Sequence, residues 1–128
     1  MTRLVQISDI HFGAEDPALV NPLTDAINTI APDLVVVTGD VTQYGRRREF
    51  NAARAFLDAL EPPIVGAPGN HDTPYFDLFA RLASPWARFE RQLGPRLQPR
   101  AAASGVQVEM LPTARGAQAR LDWSLGRV

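Results

Sequence analysis

Three short polar clusters in the chain have the residue types to hold a metal ion: Asp9-Ile10-His11, Gly39-Asp40 and Gly69-Asn70-His71-Asp72. Carboxylates, imidazoles and an amide form an oxygen-and-nitrogen donor set. Such a set suits Mn²⁺, Fe, Zn²⁺ or Co²⁺ and is too rich in nitrogen for a dedicated Ca²⁺ site. Asp9 and His11 can reach one ion if the chain turns between them. Asp40 follows a glycine, which lets backbone pass close to another group, and from a central place its carboxylate can bridge two ions. Asn70 adds a neutral oxygen, and His71 beside it can stay free for proton transfer. Two ions roughly 3.5–4 Å apart clamp a phosphoryl group for in-line displacement. Phosphoester hydrolysis is the chemistry this set fits.

The elements that must position these residues are legible around them. Asp40 stands 31 positions after Asp9, and Asn70 stands 30 after Asp40, close to the ~30 residues of a strand–helix–strand unit. Leu4-Val5-Gln6-Ile7 predicts a short buried strand, and Leu34-Val35-Val36-Val37 a strand covered on both faces. Ile64 to Ala67 predicts a third. Asp16-Pro17 reads as a helix start with proline at the first helical position. Leu19, Leu23, Ala26, Ile27 and Ile30 predict its apolar face, and Pro32 its stop. A second helix is expected from about Arg46 to Leu60, with Phe50, Ala53, Phe56, Leu57 and Leu60 facing inward. The order β-α-β-α-β predicts an α/β fold with a mostly parallel sheet and flanking helices. Ligands in such sheets sit off the carboxyl ends of the strands, where all three clusters fall. Beyond Asp72, Tyr75–Leu82 and Trp86–Leu93 predict a helix broken at Ser84-Pro85, Gly94–Gly105 a loop, Val106–Leu111 a strand, and Leu121–Gly126 a strand or hairpin edge.

The 128 residues suit one domain; 45% are hydrophobic, 21% are charged, and the net charge is −1. That balance gives no strong nucleic-acid signal. Every basic residue is arginine and there is no cysteine. Schiff-base chemistry, a Walker-loop lysine, thiolate nucleophiles and cysteine-based zinc sites are thereby excluded. No signal peptide or membrane-spanning stretch is expected, so the default expectation is a cytoplasmic protein.

The three clusters, in order and spacing, resemble the first three motifs of the calcineurin-like metallophosphoesterases. Val5-Gln6-Ile7-Ser8, Val36-Val37-Thr38, Val41-Thr42 and Ala67-Pro68 also look like that family. The likeness is to the bacterial branch related to class III cyclic-nucleotide phosphodiesterases, whose continuation Thr113–Gly116 and Trp123–Val128 resemble. The resemblance implies the first half of a four-layer α/β/β/α fold. It implies two divalent ions, with Asp9 and His11 on the first, Asp40 bridging, and Asn70 on the second. It makes His71 the proton donor or a phosphate contact, and Asp72 the carboxylate that orients His71. It also implies further histidines, including a Gly-His-x-His motif. This chain has two histidines, both already assigned. A truncated single domain over residues 1–128 is therefore expected, with one ion or none tightly bound. An oligomer or partner chain is expected over the exposed sheet face.

Blander readings compete. Asp9, Asp40 and Asn70 can each serve turns and caps, but jointly, at this spacing, the metal reading is favoured. Arg46-Arg47-Arg48 reads as a solvated helix end rather than a phosphate-attracting patch, and Trp86 and Trp123 as packing residues. Three functions remain: a metal-dependent phosphoesterase acting on a phosphoester, with nucleotides among the candidates; a non-catalytic fragment that binds metal weakly and needs a partner chain; and a nucleotide-binding module. The last leaves the Asp/His/Asn set unexplained.

Overall fold

The computed structural model describes residues 1–115. Three parallel strands, β1 (Leu4–Ile7), β2 (Leu34–Val37) and β3 (Ile64–Gly66), lie side by side in that order. Leu4 pairs with Leu34, and Val35 with Ile64. Each parallel step needs a crossover. α1 (Pro17–Ile30) supplies the first and α2 (Arg47–Asp58) the second. This is the expected α/β arrangement.

Local chemistry sets the helix ends. The Asp16 carboxylate accepts the Ala18 N–H at 3.0 Å, with Pro17 at the first helical position. α1 closes at Ala31 in the left-handed conformation, just before Pro32. α2 buries Phe50, Ala53, Phe56 and Leu57, and Leu60 follows them inward. α1 differs from expectation. It buries Thr24 and Ile27 and packs Val20 against the core, while Leu19, Leu23 and Ile30 stay exposed. A three-stranded sheet is narrow and covers one stripe of this helix. The stripe used is rotated from the one that apolar spacing marks.

β2 is buried at Leu34, Val35 and Val37, as a central strand should be. β1 departs from the buried strand expected, because it lies at the sheet edge and alternates between exposed and half-buried residues. Val5 and Ile7 pack on the core, whereas Gln6 is exposed and donates through Nε2 to Thr38 Oγ1 at 3.0 Å. With half-buried Val36 as Gln6's strand partner, one face of β1–β2 is open and partly polar.

After β3, a single 3₁₀ turn spans Asn70–Asp72, and the broken helix appears as α3 (Leu78–Ala83) and α4 (Ala87–Leu93). The expected loop at Gly94–Gly105 is corrected in part: Arg100–Ala103 forms β4, antiparallel to β5 (Val106–Glu109). Ser104 and Gly105 both have positive φ, the signature of a tight two-residue hairpin turn. Three alanines with weak strand preference concealed that strand. The Ser104 hydroxyl bonds Asp33 at 2.6 Å and the Thr2 hydroxyl donates to the Ser104 carbonyl at 2.8 Å, tying this hairpin to the start of the sheet. No helix among the described residues is long and apolar enough to cross a membrane. The expected element at Leu121–Gly126, the likeness at Trp123–Val128 and Trp123 itself lie outside the described residues.

Candidate metal centre

Parallel strands send the loops after β1, β2 and β3 off one edge of the sheet, and backbone bonds then hold two of them in parallel. Asp9 N–H donates to the Gly39 carbonyl at 3.3 Å, His11 N–H to the Asp40 carbonyl at 3.1 Å, and Phe12 N–H to the Val41 carbonyl at 2.8 Å. The third loop closes from the other side: Gly69 is so near Asp40 that a Cβ there would stand 2.1 Å from Asp40 Oδ1. His71 N–H donates to that same oxygen at 2.9 Å.

These contacts bring donor atoms of Asp9, His11 and Asp40 within 4.8 Å of one another. The backbone records the cost. Asp9, His11 and Asp40 have φ of 54°, 51° and 50°, and they are three of the five non-glycine residues with positive φ among the described residues. A left-handed non-glycine residue costs roughly 1–2 kcal/mol, and such strain persists where the surroundings over-determine it, commonly at functional sites. Here it turns three side chains toward one point.

The His11 ring has unspent polar capacity: Nδ1 is buried with no hydrogen-bond partner, and Nε2 lies 3.8 Å from Asp9 Oδ1. An unpaired buried ring nitrogen is costly, and a cation supplies what it lacks. Two carboxylates and an imidazole also match the donor preference of Mn²⁺, Fe, Zn²⁺ or Co²⁺. The residues therefore fit a divalent metal.

Asn70 opens the 3₁₀ turn at the same edge, half-buried. Its carbonyl accepts the Thr73 hydroxyl at 2.8 Å, and no described residue claims its side-chain amide. The His71 ring packs edge-on against His11, with centroids 4.7 Å apart. Its Nδ1 lies 2.8 Å from the Gln43 carbonyl. A carbonyl only accepts, so Nδ1 carries the proton and Nε2 is the ring's acceptor nitrogen.

The Gln43 carbonyl is the group that holds the His71 imidazole through Nδ1. Asp72 is fully buried and its oxygens accept from Gly69 N–H (2.9 Å), Thr42 N–H (2.8 Å), the Thr42 hydroxyl (2.9 Å) and Val41 N–H (3.3 Å). Burial pushes its carboxyl above the usual carboxylate range, against the downward pull of those donors. Asp72 joins the second loop to the third and fixes the backbone that carries Asp40 and His71.

Two supports escaped the sequence reading. Gln43 acts through its carbonyl, which leaves no trace in residue type. Glu49 is buried at the start of α2, where its Oε2 accepts Tyr44 N–H at 2.8 Å and Arg46 N–H at 3.2 Å. An acidic residue three positions after a helix start was its available signal. Arg46 itself departs from the expected solvated charge run. Arg47 and Arg48 are exposed, but the Arg46 guanidinium lies 4.9 Å from the Tyr44 ring centroid and 4.7 Å from that of Phe76.

Known proteins are similar to this chain in sequence. The calcineurin-like phosphoesterase family model matches residues 2–108. A glycerophosphodiester phosphodiesterase of Enterobacter lignolyticus is 36% identical over 80 residues, which cover 54% of this chain and 29% of that protein. A UDP-2,3-diacylglucosamine pyrophosphatase of Chlamydia muridarum is 33% identical over 73 residues, covering 55% of this chain and 22% of that protein. A probable glycerophosphodiester phosphodiesterase of Arcobacter nitrofigilis is 33% identical over 81 residues. The chain thus spans less than a third of the length of these relatives. A family match over residues 2–108, with donors gathered at the strand ends, places the chain in the calcineurin-like phosphoesterase family.

Proposed function

We propose that this chain contributes one side of a metal-dependent centre that hydrolyses a phosphodiester or a pyrophosphate. The carrying observation is the convergence of Asp9, His11 and Asp40, each on left-handed backbone, with donor atoms within 4.8 Å. Asp9, His11 and Asp40 would hold a first ion, and Asp40 with Asn70 a second. Ions bound there would supply Lewis-acid polarisation of the phosphoryl oxygens and a more acidic water. In the hydrolysis, water oxygen bonds to phosphorus and the bond from phosphorus to the leaving oxygen breaks. His71, held through Nδ1 by Gln43, would take at Nε2 the proton that the attacking water gives up and pass it to the departing oxygen. Asp72 acts as a positioning residue through the loops it joins. The names of the relatives favour glycerophosphodiester-like or nucleoside-diphosphate-linked substrates.

Ligand number supports a second reading, that these residues form a non-catalytic fragment that binds metal weakly and needs a partner chain. The chain's two histidines are both at the centre, and Asp40 with Asn70 is a poor set for a second transition-metal ion. One ion or none is then tightly held, and a partner chain or further sequence supplies the rest.

One titration and one assay test both readings. Calorimetry with Mn²⁺ is expected to give weak binding of one ion, lost in Asp40→Ala. Turnover of bis(4-nitrophenyl) phosphate with Mn²⁺ is expected to be very low or absent. Robust turnover abolished by Asp40→Ala would establish a self-sufficient enzyme and remove the second reading. Mn²⁺ binding unaffected by Asp40→Ala would remove the first.

A further inference from the structure

Beside the centre is a second group of side chains that metal binding does not use. The second and third loops run together past His71: the Gln43 carbonyl holds its ring, and Tyr75 N–H donates to the Tyr44 carbonyl at 3.3 Å. One residue beyond Gln43, the rings of Tyr44, Tyr75 and Phe76 cluster with centroids 5.0–5.7 Å apart. The Arg46 guanidinium lies over Tyr44 at 4.9 Å and Phe76 at 4.7 Å. Its Nε is 3.9 Å from Glu49 Oε1, its side chain is 40% exposed, and its terminal nitrogens bond nothing among the described residues.

This arrangement differs from a solvated arginine. Both rings attract the guanidinium by cation–π contact from one side, and its terminal N–H fork has no partner among the described residues. Such a fork matches phosphate oxygens. The stacking also lowers the rotamer entropy lost on binding.

We infer that Arg46, held against Tyr44 and Phe76, is a specificity-determining residue that binds a second phosphate of the substrate, beyond the phosphate held at the metal centre. The inference deepens the phosphoester reading and rests on it. Of the two substrate classes named above it favours the nucleoside-diphosphate-linked one, which carries a second phosphate, over a glycerophosphodiester, which carries one.

Calorimetry with UMP and UTP, Mn²⁺ in excess, tests this on the whole chain. UMP can occupy the metal centre alone, whereas UTP adds phosphates that reach outward. Arg46→Gln is expected to weaken UTP about tenfold or more, as for a lost charged hydrogen bond, and UMP by less than about twofold. Arg46→Lys, with charge but no planar fork, is expected to fall between. Phe76→Leu removes one ring while keeping the guanidinium, and is expected to weaken UTP alone by a smaller factor. It guards against misfolding of the Arg46 variants, as does an unchanged circular dichroism melt. If Arg46→Gln weakens both ligands equally, or neither, the subsite is overturned while the metal centre stands. If UMP binding depends on neither Mn²⁺ nor Asp40, the phosphoester reading fails and the subsite fails with it.

Discussion

The edge that carries the candidate centre and the segment that follows it, Tyr75 to Leu82, are adjacent in sequence and built on opposite terms. At the edge, polar groups are held by backbone bonds: Asp72 joins two loops through four accepted hydrogen bonds, and Asp40 accepts from His71 N–H. Its residues sit in costly conformations because the surroundings over-determine them. A few positions on, Tyr75, Phe76, Leu78, Phe79 and Leu82 are all exposed. Burial and bonding hold the first region rigid, while in the second Arg81 is buried but these large apolar side chains are left to solvent and are tolerant by the same logic.

Substitutions that cut the ties of the edge should break that contrast most severely. Asp72→Ala strands buried N–H groups of Gly69, Thr42 and Val41. A loss of about 3 kcal/mol or more in urea unfolding is expected, together with loss of Mn²⁺ binding. An unfolding midpoint equal to wild type would show that the loops are held by something else. Gly69→Ala comes next, since its Cβ would collide with Asp40 Oδ1. About 2 kcal/mol of stability should go, and Mn²⁺ affinity should drop with it in calorimetry.

Asp9→Gly sharpens the comparison by separating strain from function. Removing a left-handed non-glycine residue is expected to raise stability by about 1 kcal/mol while weakening Mn²⁺ binding. A variant that loses both would mean that φ of 54° at Asp9 is not strained. On the tolerant side, Phe79→Ser alters a residue that is 82% exposed. Its unfolding free energy should stay within about 0.5 kcal/mol of wild type.

The smallest effect is expected at the far end of the sheet. The Asp33 carboxyl is held below its ordinary value, first by Arg3 N–H and then by the Ser104 hydroxyl. A depressed native pKa adds stability above the unfolded value near ~3.9, and that stability is lost as pH falls through the lower native value. Asp33→Asn should therefore narrow its gap from wild type between pH 5 and pH 2, read from thermal midpoints, with little change at the metal centre.

Much of this was legible beforehand because it follows from local rules. Asp16-Pro17 marks a helix start wherever it stands, and the apolar spacing of α2 matches the face it buries. The donors at Asp9, His11 and Asp40 could be placed together because parallel strands put their following loops at one edge. α1 was misread on its facing residues since Leu19, Leu23 and Ile30 report hydrophobicity, whereas burial depends on how wide a sheet lies beneath. β4 was concealed by three alanines, and its identity comes from the partner strand across Ser104-Gly105.

Residue types and spacing alone determined a parallel α/β unit and a family of phosphoesterases, because strand period, helix period and donor chemistry are written residue by residue. Only the tertiary structure decided that Gln43 holds His71, that Asp72 serves the loops, and that Arg46 lies against two rings. Each of those depends on which backbone atom or ring comes close from a distant part of the chain. Such proximity is fixed by packing and hydrogen-bond accounting across the whole domain.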